Sequence, residues 1–330
     1  MPDVSVIICT HNPRADYLTR TLNALKAQTL PKEQWELLLI DNASKEPLAN
    51  SYDLSWHPHA RHVREEDLGL TPARLRGIHE AASELLLFVD DDNVLASNYG
   101  ETLLHLTSEF PHMGCFGAGR LVPEFEEEPE QELLPYTNML ALRSVSERQW
   151  SFCPTDHIIP WGAGLAVRRP VAQGFKEAIN TNKMRLLLGR NGQQLNSCED
   201  DEFSWVACEM SYGKGIFPEL QVTHLIGRKR IQLEYLLRLA EGVAFSHELL
   251  KHLHQEFIPK QSNQSPMPRN IIKRLLKATP SKVFGKGRNW WNARRPKEVQ
   301  IESEIELEFK KARERGIARA RETIRNGAWL

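Results

Sequence analysis

Leu85-Leu86-Leu87-Phe88-Val89-Asp90-Asp91-Asp92 is the stretch whose reading decides the fold. Five apolar residues in a row, bounded by charge, predict a strand buried on both faces of a parallel sheet. Three carboxylates then stand where that strand leaves the sheet. In open α/β sheets, ligands collect in the crevice beyond the carboxyl ends of the strands. Acids this close repel one another unless something positive lies between them. A divalent cation carrying a phosphate-bearing ligand meets that need, because hard oxygen ligands suit Mg²⁺ or Mn²⁺. Taken alone, the triplet reads more simply as a solvated acidic turn. Its neighbours in the chain reverse that reading.

Upstream, Val4 to Cys9 predicts a first buried strand, broken by Thr10-His11-Asn12-Pro13. Leu18, Leu22 and Leu25 then share one helix face. Trp35 to Ile40 predicts a second strand, ending in Asp41-Asn42-Ala43-Ser44, and Val63 starts a short third. Leu68-Gly69-Leu70-Thr71-Pro72 turns into a helix carrying Ala73, Arg74, Gly77 and Ile78, with Thr71 as its cap and Pro72 at its first position. Downstream, a helix is expected from about Asn98 to Phe110 and a strand around Cys115 to Ala118. Alternating strands and helices imply parallel βαβ units, an α/β class with a Rossmann-like nucleotide-binding sheet flanked by helices. Thr10 with Asn12, Asp41, and Asp90 with Asp92 fall at three strand ends, where a nucleoside diphosphate would use them. Neither Gly-x-Gly-x-x-Gly nor Gly-x-x-x-x-Gly-Lys-Ser/Thr occurs in this half, which argues against a dinucleotide dehydrogenase and a P-loop kinase.

With 330 residues, 41% of them hydrophobic, and a formal net charge of -1, the chain can bury one large α/β domain plus an appendage, or two domains. The near-neutral total excludes a globally basic nucleic-acid binder. Cys9, Cys115, Cys153, Cys198 and Cys208 are scattered and odd in number, as expected of reduced thiols in a cytosolic protein. The amino terminus lacks a cationic leader. No apolar run approaches the ~20 residues that span a bilayer. The expectation is a cytoplasmic protein, soluble or at most peripheral on the inner face of a membrane.

The second half carries fewer but sharper signals. Glu124 to Glu132, with six glutamates, reads as a mobile solvated loop. Trp161-Gly162-Ala163-Gly164 is a small-residue turn feeding the apolar run Leu165-Ala166-Val167, and its glycines permit either a tight bend or a close approach of ligand to backbone. Cys198-Glu199-Asp200-Asp201-Glu202-Phe203 is a second acidic cluster at a helix amino terminus, where the dipole favours carboxylates. Ile216-Phe217-Pro218 and Leu220 to Ile226 follow as short strands. His224 lies in the latter, where a satisfied core histidine is the simpler reading.

In order and spacing these pieces resemble an inverting family-2-type glycosyltransferase with the GT-A fold, over about residues 3 to 227. The resemblance rests on Val-Ile-Ile-Cys-Thr-His-Asn at 6–12, Leu-Ile-Asp-Asn-Ala-Ser at 39–44, and Leu-Gly-Leu…Ala-Arg-Leu-Arg-Gly at 68–77. It continues with Phe-Val-Asp-Asp-Asp at 88–92, Trp-Gly-Ala-Gly-Leu-Ala-Val-Arg-Arg at 161–169 and Glu-Asp-Asp-Glu-Phe at 199–203. It implies a nucleotide-diphosphate sugar as donor, with Thr10, Asn12, Asp41 and Arg74 by the base and ribose. Asp90 and Asp92 match the family's Asp-x-Asp, with Asp91 between them in the donor site. It implies that Asp92 ligates Mn²⁺ or Mg²⁺, with His224 as a further metal-side contact. Gly162, Ala163 and Gly164 would form the floor under the donor sugar, and Asp200 would be the general base. Two departures stand out: Leu75 replaces the amide usual after Ala-Arg, and the doublet Asp200-Asp201 shifts the base by one position if read the other way. Asp200 is preferred because Phe203 then faces the core.

The chemistry implied is a single displacement with inversion, in which a carboxylate takes the proton of the acceptor hydroxyl and the metal neutralises the leaving diphosphate. The acceptor would be a glycan or a lipid-linked glycan. A catalytically silent sugar-nucleotide-binding or scaffold protein is the alternative. A sugar-1-phosphate nucleotidylyltransferase is a weaker one, because Thr10-His11-Asn12-Pro13 lacks its glycine-rich basic loop. From Arg228 the character changes to a mainly helical extension, so the division expected is 1–227 catalytic and 228–330 appended. Ile231, Leu236, Leu239 and Val243 predict an amphipathic helix. Between Pro259 and Lys297 there are eleven Lys or Arg and no acid, with Trp290 and Trp291 among them. Such a stretch suits an anionic membrane surface or a solvated basic face, and no nucleic-acid motif accompanies it. Residues 298–330 predict a surface or partner helix.

Overall fold

The computed structural model describes residues 2–192, 194–255 and 304–327. Strands β1 (Val4–Thr10), β2 (Trp35–Asn42), β3 (Ala60–Glu65) and β4 (Leu85–Val89) are parallel, in the order β3-β2-β1-β4. Successive side chains of a strand point to opposite faces, and here both faces are covered. Val6, Ile8, Leu37, Leu39, Leu85 and Leu87 pack on one side with Leu18, Leu22 and Leu25 of α1 (Ala15–Lys26). Ile7, Leu38, Leu86 and Phe88 pack on the other with Ala73 and Ile78 of α2 (Leu70–Glu80). Uninterrupted apolar runs are what two-sided burial requires. α3 (Tyr99–Glu109) adds Leu103 and Leu106 to the first core, and α4 (Arg169–Thr181) adds Val171 and Phe175 to the second.

Six further strands complete a ten-stranded sheet: β5 (Asn93–Leu95), β6 (Met113–Phe125), β7 (Arg143–Ser144), β8 (Gln149–Ser151), β9 (Leu165–Arg168) and β10 (Gly213–Ile226). Its main path runs β3-β2-β1-β4-β9-β6-β10-β5. The purely parallel arrangement expected from the alternation of elements is therefore corrected: β6 and β10 are parallel, but β9 is antiparallel to both β4 and β6. The reason is local. β4 runs toward the acidic crevice, whereas β9 starts from the Trp161–Gly164 turn at that crevice and must run away from it.

Other boundaries differ from expectation for equally local reasons. The two short strands expected near 216 and 220 are one strand, β10, with an irregularity between Phe217 and Gln221 that absorbs Pro218. β6 extends to Phe125, so the glutamate run is partly anchored, with Glu124 paired to Arg20 and Glu126 to Arg14. Thr71 lies inside α2. Gly69 holds the cap position at φ 141°, a conformation that favours glycine.

α5 (Glu199–Glu209) packs behind β4: Phe203 stacks on Phe175 at 3.8 Å and lies 5.6 Å from Phe88. The described residues of the carboxyl-terminal part are mainly helical, as expected. α6 (Leu233–Leu253) and α7 (Glu304–Asn326) pair, burying Leu236, Leu239, Phe309 and Ala312 in one cluster and Phe245, Leu249 and Ala320 in another. The helix expected to face solvent or a partner thus packs on its own chain. The helices approach closely at Gly316, where a Cβ would stand 2.1 Å from the Glu241 carbonyl oxygen. Gly316→Ala is expected to cost about 1–3 kcal/mol by overpacking, read as a lowered thermal midpoint. Among the described residues no helix is long and apolar enough to cross a membrane. The basic stretch 259–297 lies outside the described residues.

Burial also makes a pH-dependent contribution at the base of β2. His57 is 3% exposed, lies 4.0 Å from the Trp35 ring, and accepts the His59 amide at Nδ1. Burial, with His59 and Lys32 nearby, pushes its pKa down to about 4. The unfolded chain therefore takes up this proton first as pH falls, and stability is lost between about 6.5 and 4. His57→Gln is expected to flatten that limb of a stability–pH curve, by on the order of 2–3 kcal/mol.

Candidate active site

The carboxyl ends of β1, β2 and β4 open into one cavity of about 350 Å³. Thr10, Asn42, Arg74, Asp90, Asp91, Asp92, Gly162, Ala163, Asp200 and His224 all line it. The two acidic clusters, more than a hundred residues apart in the chain, therefore face one space. Asp90 to Asp92 sit where β4 stops. Asp91 accepts the Thr10 hydroxyl at its carboxylate and the Thr21 hydroxyl at its carbonyl, which ties the triplet to β1 and α1. Burial and the neighbouring Asp92 carboxylate push the Asp91 carboxyl up to about 7.

Asp92 is placed by sheet pairing. In the β5–β10 ladder His224 stands opposite Asn93, and the Leu225 amide donates to the Asp92 carbonyl at 2.8 Å. His224 Nε2 comes within 3.4 Å of Asp92 Oδ2. Arg230, on the turn after β10, donates from Nη1 to the same oxygen at 2.6 Å. Burial raises the Asp92 carboxyl, but His224, Arg230 and Arg190 outweigh it and hold the group below the usual carboxylate range.

The opposite wall is made by α2, the Trp161–Gly164 turn and the start of α5. Arg74 is 2% exposed and pairs with Glu199 at 3.1 Å, with Asp90 at 3.9 Å. A Cβ on Gly162 would stand 2.6 Å from Arg74 Nη2, so glycine there lets the turn close over the guanidinium. The Gly162 amide donates to Asp200 Oδ2 at 2.8 Å. Asp200 lines the cavity; the cavity lining does not include Asp201, whose carboxyl burial and Asp200 push up to about 8. Cys198 turns the chain into α5 at φ 92°, a backbone strain of order 1–3 kcal/mol for a residue with a side chain.

Three expected contacts are placed elsewhere. Asp41 is buried, but its carboxylate is taken up by the Ser44 and Leu48 amides and by Arg64 at 2.9 Å, so it braces the loop after β2. Its neighbour Asn42 lines the cavity instead. Asn12 sits at φ 47° and joins two loops through Ser44 and Lys45. Gly164, at φ 76°, gives its carbonyl to the Tyr99 hydroxyl at 2.6 Å. Leu75 packs in the second core.

Several lining residues escaped the sequence reading: Asn42, Arg190, Glu199, Arg230, the Met139–Ala141 segment, and Leu239 and Val243 of α6. Glu199 and Arg230 had a signal, since each adjoins a residue singled out or its strand. Met139, Leu239 and Val243 had none beyond apolarity. Arg143, stacked 3.6 Å over the Trp161 ring that lines the cavity, had none either.

For a divalent cation, the residues present fit. Carboxylate oxygens and an imidazole nitrogen are donors of the kind that suit Mn²⁺ or Mg²⁺, and His224 Nε2 lies 3.4 Å from Asp92 Oδ2.

Comparison with known proteins settles the family. The model of "Glycosyl transferase family 2" matches residues 5–171. The chain belongs to that family. Among curated relatives, glycosyltransferase AglE of Haloferax volcanii is 33% identical over 95 residues, 28% of this chain and 31% of that protein. Polypeptide N-acetylgalactosaminyltransferase 8 of Drosophila melanogaster is 31% identical over 108 residues, 32% of this chain and 18% of that protein. The match thus spans less than a third of each relative's length. Among solved structures, TarS 1–349 of S. aureus has a TM-score of 0.48 at 17% identity, covering 98% of this chain and 92% of that one. GalNAc-T7 with UDP, GalNAc and Mn²⁺ has a TM-score of 0.49 at 18% identity, covering 78% and 54%. The family-2 match ends within α4, so Asp200, His224 and Arg230 lie beyond it.

Proposed function

We propose that this family-2 chain transfers a sugar from a nucleoside diphosphate donor to an acceptor hydroxyl by single displacement with inversion. The observation that carries the reading is that Asp92 and Asp200 line one cavity, one on the β4–β10 wall and the other on the α5 wall. Asp200 is the general base: it takes the acceptor proton as oxygen bonds to the anomeric carbon, and the Gly162 amide holds one of its oxygens in place. Asp92 and His224 would hold Mn²⁺ or Mg²⁺, with Asp90 and Asp91 beside them. When bound, the cation supplies Lewis-acid neutralisation of the departing diphosphate. Arg74, buried against Glu199 and Asp90, fixes the spacing of the two walls. Thr10 and Asn42 flank the nucleoside.

The acceptor is a hydroxyl of a glycan or lipid-linked glycan, and residues 1–227 form the catalytic unit, with α6 closing its cavity. For the basic stretch 259–297 the readings are contact with anionic lipid or a solvated basic face; flotation of the full chain with anionic but not neutral vesicles would select the first.

Calorimetric titration with a panel of nucleotide sugars, with and without Mn²⁺, followed by transfer and hydrolysis assays, tests the whole reading. Metal-dependent binding followed by release of nucleoside diphosphate supports it. Binding without turnover points to a silent sugar-nucleotide-binding protein, and pyrophosphate-dependent exchange to a nucleotidylyltransferase.

A further inference from the structure

One guanidinium nitrogen occupies both groups assigned to the metal. Arg230 Nη1 lies 2.6 Å from Asp92 Oδ2 and 3.0 Å from His224 Nε2. The side chain is 17% exposed, like that of Asp92. Its backbone is fixed close by: the Arg230 amide bonds to the Gly227 carbonyl at 2.8 Å, and the next residue, Ile231, is 3% exposed in the α6–α7 core. The guanidinium can therefore swing about its own side-chain bonds but cannot leave the cavity wall.

Both positive groups cannot share one carboxylate oxygen. A divalent cation on Asp92 Oδ2 would stand within a few ångströms of a guanidinium in a poorly solvated cleft, where like charges repel strongly. Removing Arg230 with nothing in its place would in turn leave Asp92, beside Asp90 and Asp91, with only His224 and Arg190 to offset its charge. The two states exclude each other, and a displaced Arg230 would need another anion in the cavity, for which a diphosphate arriving with the cation would serve. Arginine suits that transfer, because its planar fork binds carboxylate and phosphate oxygens alike.

We infer that Arg230 is an exchangeable counter-ion: it holds Asp92 and His224 in the empty protein and passes to the donor diphosphate when metal and nucleotide arrive together. The inference rests on the donor-and-metal reading above. It makes Arg230 a positioning residue that couples two ligands. Metal alone must displace Arg230 with no diphosphate to receive it, so metal binds more weakly until one is present. By linkage, metal must tighten nucleotide binding by the same factor.

The test is direct binding of Mn²⁺ to the full chain, read from the loss of the free-ion resonance signal, with UDP and GDP as nucleotide probes. In the unaltered protein the better-bound nucleotide should tighten Mn²⁺ at least tenfold. Arg230→Ala should bind Mn²⁺ alone about tenfold more tightly than the parent, bind the nucleotide with Mn²⁺ more weakly, and lose most of the coupling. Arg230→Gln, which keeps the length and loses the charge, should behave alike, and Arg230→Lys should keep part of the coupling. Mn²⁺ affinity that stays unchanged or falls in both Ala and Gln variants, with nucleotide binding intact in the parent, overturns the exchange and leaves the donor reading standing. No Mn²⁺ uptake by the parent with any nucleotide sinks both. Asp92→Asn fixes which outcome applies, since it should remove Mn²⁺ binding in every background.

Discussion

Asp200→Asn is expected to lower turnover by about 10²–10⁴-fold, the range a positioned general base contributes, while nucleotide affinity changes little. Asparagine keeps the side-chain oxygen that receives the Gly162 amide at 2.8 Å, so the Trp161–Gly164 turn should keep its course. What it loses is the basic oxygen. Single-turnover transfer measured beside nucleotide titration separates the two effects: a pure base loss lowers the rate constant and leaves the dissociation constant alone. Asp201→Asn is the matched control. Burial and its neighbour Asp200 push the Asp201 carboxyl up to about 8, so near neutral pH that group already carries its proton and accepts none from an acceptor. Its replacement should cost far less. Equal losses in the two variants would move the chemistry away from Asp200.

Asp92→Ala should remove most metal-dependent donor affinity, by roughly 10–100-fold or more, the scale on which metal-site side chains act. Two consequences add. The cation loses a carboxylate that His224 and Arg230 hold in its ionised form. Arg230 also loses the oxygen it holds at 2.6 Å and becomes a free cation facing the cavity. Nucleotide binding without Mn²⁺ should therefore weaken less than binding with it, or even strengthen. Titration with and without the ion reads both. An Asp92→Ala protein whose donor binding still responds fully to Mn²⁺ would place the ion elsewhere.

How much of this was legible in the residues follows from the range of the signals. The strands at 4–10, 35–42 and 85–89 could be read because two-sided burial writes itself as a mostly apolar run. Phe203 could be placed in the core from helical spacing, and it stacks on Phe175 as that spacing requires. The reversed direction of β9 could not, because three apolar residues look the same either way along a sheet. At the site, most of the residues singled out line the cavity, and their neighbours there were harder to read. Asp41 and Asn42 are adjacent, and a strand's alternation puts them on opposite sides. Asp41 was read as the donor contact, and Asn42 is the one of the two that lines the cavity. Arg230, on the turn after β10, meets Asp92 138 residues away in the chain, and its place just beyond the His224 strand was a faint local hint. The α6 wall was missed because Leu239 and Val243 look like any core-facing pair of a helix.

The pairing of α7 with α6 bears on how the protein is made. Phe309 stacks on Tyr136 at 3.7 Å, close in sequence to the Met139–Ala141 segment of the cavity, while Arg319 reaches Asn196 near the start of α5. Domains emerge from the ribosome with the earlier residues first, so the sheet can assemble long before residue 309 or 319 exists. Until those residues appear, the crevice has acids and a floor but two loose sides. A nascent chain at that stage would be folded yet unfinished as a vessel for its reactants.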